Sequence, residues 1–384
     1  MSQRLVILTE IIAPYRIPVF NALARHPDID LQVIFLAEND PTLRQWLVYK
    51  DEIQFCYQVL PSWRRRLGKS NLLVNRGLRA ALQQASPDAI LCGGYNYPAS
   101  WEALRWARHN QARFYLWVES TAHDQRNGRL LVESLKRRFL RACDGFVVPG
   151  RSSRQYVKSF GVEDSVIFTA PNAVDTAWFA EEAAIIRADA RRHREVRGLP
   201  QRYFLFVGRL VTQKGVFDLL RAYGTLPAKL REEIGLVFVG DGAERAQLQR
   251  LAAAVTPGCI QFAGFVQREG MAAYYALAEA LVFPTHSDPW GLVVNEAMAC
   301  SRTVISTEVA GCTADLVRDG WNGRVIDAGD VGQLAVALAE IAADADLRAQ
   351  MGRNSRQRIQ EYSPEACAEG IAEAFLCCGV ACHG

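Results

Sequence analysis

The sequence lacks several patterns that would place a protein outside the ordinary globular class. None of its 10 cysteines forms a C-x-x-C pair. No apolar run approaches the roughly 18 residues that a membrane-spanning helix needs. The apolar stretch Leu5–Leu8 is too short for the core of a signal peptide, and Glu10 follows it closely. We therefore expect a protein of the reducing cytosol, in which any membrane contact is peripheral.

The chain also has no large excess of charge of one sign. It carries 44 basic and 41 acidic residues, a formal net charge of +3, so nothing in the total indicates a nucleic-acid partner. Hydrophobic residues make up 50% and charged residues 22%, which is typical of a soluble globular protein. A length of 384 residues exceeds what one hydrophobic core usually fills, so we expect two domains.

Two local clusters depart from this balance. Trp63–Lys69 and Lys136–Arg141 mix basic with apolar residues, as a surface that touches anionic lipid would. Solvated helix or loop faces give the same pattern and remain the alternative. The terminal segment Cys377–His383 resembles a metal cluster, but its spacing matches no common zinc pattern, and we expect a frayed terminus there.

Short apolar runs typical of buried strands recur along the chain. The first series comprises Leu5–Leu8, Leu31–Leu36, Ala89–Cys92, Arg113–Val118, Phe146–Val148 and Val166–Thr169. The second comprises Tyr203–Val207, Leu236–Val239, Ile260–Ala263, Ala280–Pro284, Thr303–Ser306 and Arg324–Ile326. Longer amphipathic segments separate the runs, which predicts an α/β protein with two similar parallel sheets in tandem.

The domain boundary is predicted between the two series, within residues 173–200. We assign residues 1–175 to the first domain and residues 176–362 to the second. Residues 363–384 have helical spacing after the second sheet is complete, and a return of this helix to the first domain is one alternative.

The turn after the run Tyr203–Val207 carries groups that a diphosphate requires. Arg209 offers a planar fork of donors and Lys214 a mobile point charge, and the helix predicted from Val216 adds its positive N-terminal end. A surface loop with two exposed cations is the alternative for this turn taken alone.

A second turn follows the run Ala280–Pro284. Pro289 and Gly291 break the chain between strand and helix, which leaves Asp288 before the helix and Glu296 in its second turn. A carboxylate accepts two hydroxyl hydrogen bonds and so suits a sugar or a ribose, whereas phosphate would repel it. An ordinary acidic helix cap is the alternative for Asp288.

The segment Gly240–Arg245 suggests a dinucleotide fingerprint only at first sight. Arg245 replaces the third glycine of G-x-G-x-x-G, and the segment lies inside the second series instead of at the first turn. A tight turn into a helix accounts for it.

Four segments together carry a family resemblance: Pro171–Asp175, Gly208–Gly215, Val239–Gly242 and Asp288–Ala299. In this order they resemble the retaining glycosyltransferases of family 4. The resemblance covers nearly the whole chain and implies the GT-B architecture, in which two tandem Rossmann-like domains face an interdomain cleft. The N-terminal domain would bind the acceptor and the C-terminal domain the nucleotide-sugar donor.

The resemblance also implies roles for individual residues. Arg209 and Lys214 would hold the donor diphosphate, Asp288 the hydroxyls of the transferred sugar and Glu296 those of the ribose. Others would line the donor site through the main chain or beside the base: Gly208, Trp290, Gly291, Leu292, Phe265 and Val266. In relatives the carboxylate at position 288 is usually glutamate, which is one methylene longer.

The paired glycines usual after the first strand are absent, and Glu10–Pro18 stands in their place. This turn would present Tyr15 and Arg16 on the acceptor side. The alternative is that Tyr15 covers the edge of the sheet and Arg16 is solvated. Tyr95 follows the third run and is a further candidate there. Glu119 and His123 follow the fourth run and are the candidate catalytic residues of the first domain.

The implied reaction is retaining transfer of a sugar, with a UDP-sugar favoured, to a glycan or lipid-linked acceptor at the inner face of the cytoplasmic membrane. We see no D-x-D pair at a strand end and no metal-ligand spacing, so we expect no metal, no cofactor and insensitivity to EDTA. The alternatives are a nucleotide-sugar epimerase or glycan phosphorylase of the same fold, and a non-catalytic sugar-nucleotide sensor.

Overall fold

The computed structural model describes residues 2–40, 45–67, 70–124, 130–255 and 260–376. The terminal segment Cys377–His383, for which we expected a frayed end, lies outside this range. The chain divides into two compact units, Met1–Ala173 with Pro364–Gly384 and Val174–Ser363. The break falls two residues before the position assigned from the sequence.

The first unit contains a parallel sheet, a short hairpin and surrounding helices. Its strands are β1 (Gln3–Thr9), β2 (Ile29–Phe35), β3 (Cys56–Val59), β4 (Ser62–Leu67), β5 (Ser70–Asn75), β6 (Ala89–Cys92), β7 (Arg113–Trp117), β8 (Gly145–Val148) and β9 (Ile167–Thr169). Its helices up to the break are α1 (Ile17–Ala24), α2 (Leu78–Ala85), α3 (Pro98–His109), α4 (Leu130–Leu140) and α5 (Arg151–Lys158).

The second unit repeats the alternation. Its strands are β10 (Tyr203–Val207), β11 (Gly235–Val239), β12 (Ile260–Gly264), β13 (Ala280–Phe283), β14 (Thr303–Thr307) and β15 (Gly323–Ile326). Its helices are α6 (Thr176–Ala188), α7 (Ala190–Arg197), α8 (Val216–Thr225), α9 (Ala228–Glu233), α10 (Arg245–Val255), α11 (Arg268–Leu277), α12 (Leu292–Ala299), α13 (Thr313–Leu316), α14 (Val331–Ala343) and α15 (Ala345–Ile359).

Both sheets are parallel and share one strand order. The 7-stranded sheet runs β3-β2-β1-β6-β7-β8-β9, and the 6-stranded sheet runs β12-β11-β10-β13-β14-β15. In each, the first strand of the unit lies in the interior and the order reverses beside it, which is the doubly wound arrangement. The α/β class and the two tandem Rossmann-like domains predicted from the sequence are confirmed.

Complete burial of the interior strands explains why their sequences are continuous apolar runs. All five residues of β10 and all four of β13 are buried, because helices cover both faces of the sheet. Separate hydrophobic clusters fill the space on each face of each sheet. Among the cysteines, Cys92 of β6 is buried, and burial raises the pKa of its thiol to about 11, so it behaves as a small apolar side chain.

The last helix, α16 (Pro364–Leu376), belongs to the first unit. It packs against α1 and β9, and Phe375 lies 4.9 Å from Tyr115 of β7, measured between ring centroids. The chain therefore returns to the first unit after completing the second, one of the alternatives left open by the sequence.

Two elements of the first unit have no counterpart among the predicted runs. β3 is an edge strand in which three of four residues are exposed. β4 and β5 form an antiparallel hairpin in which Trp63 pairs with Val74.

No helix within the described ranges combines the length and the apolar composition that crossing a bilayer requires.

Candidate functional site

The two turns singled out from the sequence follow neighbouring strands. β10 lies between β11 and β13, so the strand order of the second sheet reverses at the β10–β13 boundary. Ligands of doubly wound proteins bind outside the carboxyl ends of the strands at this switch point. Residues 208–215 follow β10 and residues 284–291 follow β13. We call them the diphosphate turn and the carboxylate turn.

The diphosphate turn packs directly onto the residue that ends β13. Gly215 has a φ of +68°, and a Cβ there would lie 1.8 Å from the carbonyl oxygen of Pro284. Only glycine fits this backbone and this close approach. The contact brings Lys214, the last residue of the 3-10 turn Thr212–Lys214, to the carboxylate turn immediately before α8 begins.

Arg209 projects from the same turn. Its side chain is exposed and has no hydrogen-bond or ion-pair partner among the residues that the structure describes. An unpaired guanidinium in a turn that opens a helix is available to an anion, since both the fork and the helix N-terminus favour negative charge.

The segment Gly240–Arg245 supports the diphosphate turn. Leu210 donates its backbone N–H to Asp241 over 2.9 Å, and Glu244 donates to the carbonyl of Leu210 over 3.0 Å. No sequence pattern connects these two turns, because the link depends on the pairing of β10 with β11. The result is a braced loop that holds Arg209 without engaging its side chain.

Asp288 connects the carboxylate turn to the diphosphate turn. Its Oδ2 lies 2.5 Å from Lys214 Nζ, and its Oδ1 accepts the backbone N–H of Trp290 at 3.2 Å. Lys214 also donates to the carbonyl of Ser287 over 3.2 Å. Two predicted site residues are therefore in direct contact, and both side chains are more than four-fifths buried.

The remainder of the carboxylate turn is anchored by packing. Trp290 is buried, and its indole N–H donates to Asn295 Oδ1 over 2.9 Å. Gly291 has a φ of +99°, and a Cβ there would meet the ring of Phe283 at 2.6 Å. α12 then begins at Leu292, with its first backbone N–H groups unpaired within the helix.

Glu296 lies in the second turn of α12 and is partly buried. Burial raises the pKa of its carboxyl to about 7, and a hydrogen bond from the Tyr275 hydroxyl acts in the opposite direction. The hydroxyl oxygen is 2.5 Å from Glu296 Oε2. The sequence did not indicate Tyr275, because the contact depends on the packing of α11 against α12.

The two residues expected near the nucleotide base follow β12. The side chain of Phe265 is 42% exposed, and Val266 packs against the hydrophobic core of the unit. An exposed aromatic ring at the carboxyl end of the sheet is compatible with base stacking. Their role in base binding stays a prediction.

In the first unit, Arg16 is enclosed by its neighbours. Its Nη2 lies 2.7 Å from Glu119 Oε1, and its guanidinium carbon is 3.9 Å from the ring centroid of Trp117. The alternative of a solvated Arg16 is therefore wrong, because the side chain lies between an aromatic face and a carboxylate. Tyr15 packs edge-on against Trp46, 6.1 Å between ring centroids.

The other acceptor-side candidates lie elsewhere in the same unit. Tyr95 is half-buried and packs against Phe139 of α4 at 6.1 Å, and burial raises its pKa. His123 is exposed in the 3-10 turn Ala122–Asp124. The structure thus joins Arg16 with Glu119 and Lys214 with Asp288, whereas Tyr95 has partners of its own.

A polar cluster at the first switch point was missed from the sequence. Glu10 follows β1 and Tyr97 follows β6, and β1 and β6 are neighbours. The Tyr97 hydroxyl donates to Glu10, and burial together with this bond raises the tyrosine pKa. Arg64 of β4 pairs with Glu10 at 3.3 Å and also with the buried Asp40. The strand order could have indicated Glu10 and Tyr97, but no sequence signal links Arg64 to Asp40.

One cation in each basic cluster is largely buried. Arg64 turns toward Asp40 and Glu10, and Lys136 is 6% exposed and donates to the Tyr156 hydroxyl. The ring centroid of Phe160 is 4.3 Å from the Lys136 ammonium nitrogen. The expectation of two solvated or lipid-facing basic surfaces is wrong for these two cations, since carboxylates hold one and aromatic rings enclose the other.

No set of three or more His, Cys, Asp or Glu side chains is grouped as potential metal ligands within the described part of the chain. Independence of metal stays a prediction that needs an assay.

The fold and the two braced turns define the chain as a two-domain α/β protein of the GT-B type. A family model described as "Glycosyltransferase Family 4" matches residues 21–178, and one described as "Glycosyl transferases group 1" matches residues 189–358. The chain belongs to glycosyltransferase family 4.

Curated relatives agree with this assignment over part of their length. A D-inositol 3-phosphate glycosyltransferase of Acidothermus cellulolyticus is 31% identical over 235 residues, 58% of this chain and 50% of the relative. The lipopolysaccharide core biosynthesis glycosyltransferase LpsE of Rhizobium meliloti is 31% identical over 172 residues, 44% of this chain and 47% of the relative. The chain thus spans about half the length of these relatives.

Solved structures share the fold over the whole chain. Anabaena Alr3699/HepE in complex with UDP-glucose superimposes with a TM-score of 0.71 at 17% identity, covering 98% of this chain and 100% of that chain. At this identity the likeness establishes the architecture alone.

Proposed function

We propose that this protein is a retaining glycosyltransferase that moves a sugar from a nucleotide-sugar donor, favoured to be a UDP-sugar, to a hydroxyl of a glycan or lipid-linked acceptor. The observation that carries the proposal is the contact of Lys214 with Asp288 beside the exposed Arg209 at one switch point. Cations for a diphosphate and a carboxylate for sugar hydroxyls are thereby placed side by side. The similarity to proteins that bind UDP-glucose and build lipopolysaccharide core supports the same donor and acceptor classes.

The diphosphate would occupy the diphosphate turn. Arg209 supplies two parallel N–H donors for phosphate oxygens, and Lys214 supplies a point charge. A nucleoside diphosphate is already a good leaving group, so catalysis requires stabilisation of the charge that grows on its oxygens. Both cations are in place before the reaction. The site therefore avoids the free energy that water molecules would spend in reorienting around the growing negative charge.

The transferred sugar and the ribose would each meet a carboxylate. Asp288 is held by Lys214 and by the Trp290 backbone, so it can accept hydroxyl hydrogen bonds with a fixed orientation. Glu296 lies eight positions further along the chain and would accept from the ribose hydroxyls. Main-chain groups of Gly291 and Leu292 would complete the sugar contacts.

We infer retention of configuration through attack on the leaving-group face. As the bond to the diphosphate breaks, positive charge grows on the anomeric carbon, and the acceptor hydroxyl attacks from the side of the departing phosphate, which takes its proton. Double displacement would need a carboxylate nucleophile about 3 Å from that carbon. The carboxylates of the donor site are engaged by Lys214 and Tyr275, which supports the first route.

The acceptor would bind at the carboxyl edge of the first sheet, which carries Tyr15, Arg16, Tyr95, Glu119 and His123. Because Arg16 already pairs with Glu119, this edge favours hydroxyl groups over anionic ones. We place the reaction at the inner face of the cytoplasmic membrane. Trp63 of β4, which is 55% exposed, is the residue that a peripheral contact with anionic lipid would use.

Incubation with labelled UDP-sugars tests the proposal. A transferase will transfer the label or slowly hydrolyse the donor, and Arg209→Ala and Glu296→Ala variants will lose both activities. A non-catalytic sensor would bind the donor and return it intact, and an epimerase would release a changed nucleotide sugar without transfer. Either of these results would contradict the proposal.

The same assay tests metal independence. We propose that Arg209 and Lys214 replace a divalent cation, so EDTA will leave transfer unchanged. Loss of transfer on chelation, with rescue by magnesium, would overturn this part alone.

A further inference from the structure

Tyr275 is buried beside the proposed donor site, and the proposed function gives it no contact with the donor. It lies in α11, its side chain has no solvent exposure, and its ring packs edge-on against Phe179 of α6 at 6.1 Å. Its hydroxyl oxygen lies 2.5 Å from Glu296 Oε2. The packing of α6 against α11 therefore restricts the position of the hydroxyl that donates this hydrogen bond.

The hydrogen bond leaves the two oxygens of Glu296 in different states. Oε2 is occupied by Tyr275, whereas Oε1 has no hydrogen-bond partner among the described residues. The glutamate is partly accessible, and α12 carries it directly behind the carboxylate turn. One oxygen is thus held and the other is available to a ligand.

We propose that Tyr275 is a positioning residue for the donor ribose, which holds Glu296 Oε2 so that Oε1 accepts the ribose 2′- and 3′-hydroxyls. This inference rests on the proposed function, since it takes the ligand of Glu296 to be a ribose. Tyr275 touches neither the sugar nor the diphosphate. Its effect on affinity passes through Glu296 alone.

The surroundings of Glu296 give this hydrogen bond a second effect, on ionisation. Burial raises the pKa of Glu296 to about 7, and the Tyr275 hydrogen bond is the interaction that lowers it. The charged groups on the other elements packed against α12 lie around Cys300, one turn away: Arg187 of α6, Arg302 before β14 and Arg356 of α15. Without the tyrosine hydroxyl, a larger fraction of Glu296 is protonated near neutral pH.

The strength of the contact between Glu296 and the ribose should depend on pH. An ionised carboxylate accepts hydroxyl hydrogen bonds more strongly than a protonated one. Recognition of the ribose 2′-hydroxyl therefore weakens as pH falls through about 7 in the wild type. In Tyr275→Phe the same loss begins at a higher pH.

Paired titrations with UDP and 2′-deoxy-UDP test this role, at several pH values between about 6 and 9 around the pKa of Glu296. The ratio of the two dissociation constants reports the ribose contact and is insensitive to a general loss of affinity. We expect the wild type to favour UDP by about tenfold or more, as for a hydrogen bond to a charged group. In Tyr275→Phe the ratio will fall, and its pH midpoint will rise.

Tyr274→Phe is the matched control. Tyr274 neighbours Tyr275 in α11 and is 8% exposed, but its hydroxyl does not contact Glu296. This variant should keep both the ratio and the midpoint of the wild type. If Tyr275→Phe does not fold, the wild-type ratio still has to rise with pH through about 7. A pH-independent ratio would then reject the proposal.

The outcomes separate this inference from the proposed function. If Glu296→Ala binds UDP as tightly as the wild type does, Glu296 does not hold the donor and the proposed site is wrong. If Glu296→Ala loses the preference for UDP but Tyr275→Phe keeps the ratio and midpoint of the wild type, only the role of Tyr275 is wrong. If measurements of melting temperature with different nucleotides show that GDP binds more tightly than UDP, the titrations use GDP and 2′-deoxy-GDP instead.

Discussion

The two switch points of this molecule have the same topology but opposite electrostatic designs. In the second unit, Arg209 has no partner among the described residues and Lys214 faces one carboxylate, Asp288. In the first unit, Arg16 is paired with Glu119, and Arg64 is paired with both Asp40 and Glu10. One edge keeps cationic charge available to a ligand, and the other neutralises it internally.

Under the proposed function, one backbone arrangement serves two kinds of ligand. Parallel strands deliver turns and helix N-termini to the same edge in both units. The side chains decide whether that edge attracts an anion or presents hydroxyl-binding groups. In our proposal the second edge holds the diphosphate, and the first binds a neutral hydroxylated acceptor.

Arg209→Ala should have the largest effect, because it removes the exposed cation that distinguishes the second edge. We expect a loss of about 100- to 1000-fold in kcat/KM, the size of the effect seen when one hydrogen-bond donor that stabilises transition-state charge is deleted. Transfer from a labelled UDP-sugar measures it.

Arg250→Ala removes an exposed arginine of α10 and should match the wild type. Equal losses in the two variants would mean that overall charge matters and the diphosphate turn does not.

Arg64→Ala tests the internal neutralisation of the first edge. Asp40, only 2% exposed, would lose its ion pair with Arg64, and the loss of a buried ion-pair partner typically costs about 3 kcal/mol of unfolding free energy. Thermal or urea unfolding measures the change, and UDP affinity should not move. Asp40→Asn added to Arg64→Ala should recover part of the stability. An unchanged unfolding free energy in Arg64→Ala would show that the pairing is not structural.

Asp288→Asn separates sugar binding from nucleotide binding at the second edge. The variant loses the charge that accepts sugar hydroxyls and frees Lys214, so transfer should fall by about 10- to 100-fold while the affinity for UDP is kept or increases. Activity assays and UDP titration measure the two effects. Glu233→Gln, an exposed carboxylate of α9, serves as the control. A parallel loss of UDP affinity would contradict the division of roles.

The smallest expected effect is on the pH dependence of stability. The folded pKa of Glu296, about 7, lies above the ordinary value of 4.5. The folded state therefore binds this proton more tightly, so its contribution is fully present below pH 4.5 and is lost as pH rises through about 7. Between pH 5 and 8 the wild type should lose on the order of 1–3 kcal/mol relative to Glu296→Gln. Melting curves of both proteins across this range measure it, and parallel pH profiles would contradict the shift.

The sequence predicted the regular part of each sheet because burial on both faces requires continuous apolar strands. It also located the diphosphate and carboxylate turns, since each is a glycine-containing segment between a strand and a helix. It did not predict β3, whose exposed residues lack an apolar run, or the hairpin of β4 and β5, where Arg64–Arg66 interrupt the pattern.

The side-chain contacts at the two edges were harder to predict. Arg64 and Asp40 are joined only by tertiary packing, and Tyr275 reaches Glu296 across two helices. Arg16 could be assigned to a functional turn but not to its partner, because Glu119 is 103 positions away in the chain. Local patterns identify which residues lie at an edge, whereas the pairing among them depends on the assembled fold.

Hydrogen–deuterium exchange with and without UDP tests the central claim most directly. We predict that bound UDP slows exchange in peptides covering residues 208–216 and 288–297, and that peptides from the first edge, residues 9–16 and 93–98, change little. The same pattern should appear with GDP if that nucleotide proves to be the tighter ligand. Protection confined to the first edge, or no protection of either turn by UDP, GDP or ADP at saturating concentration, would contradict the account.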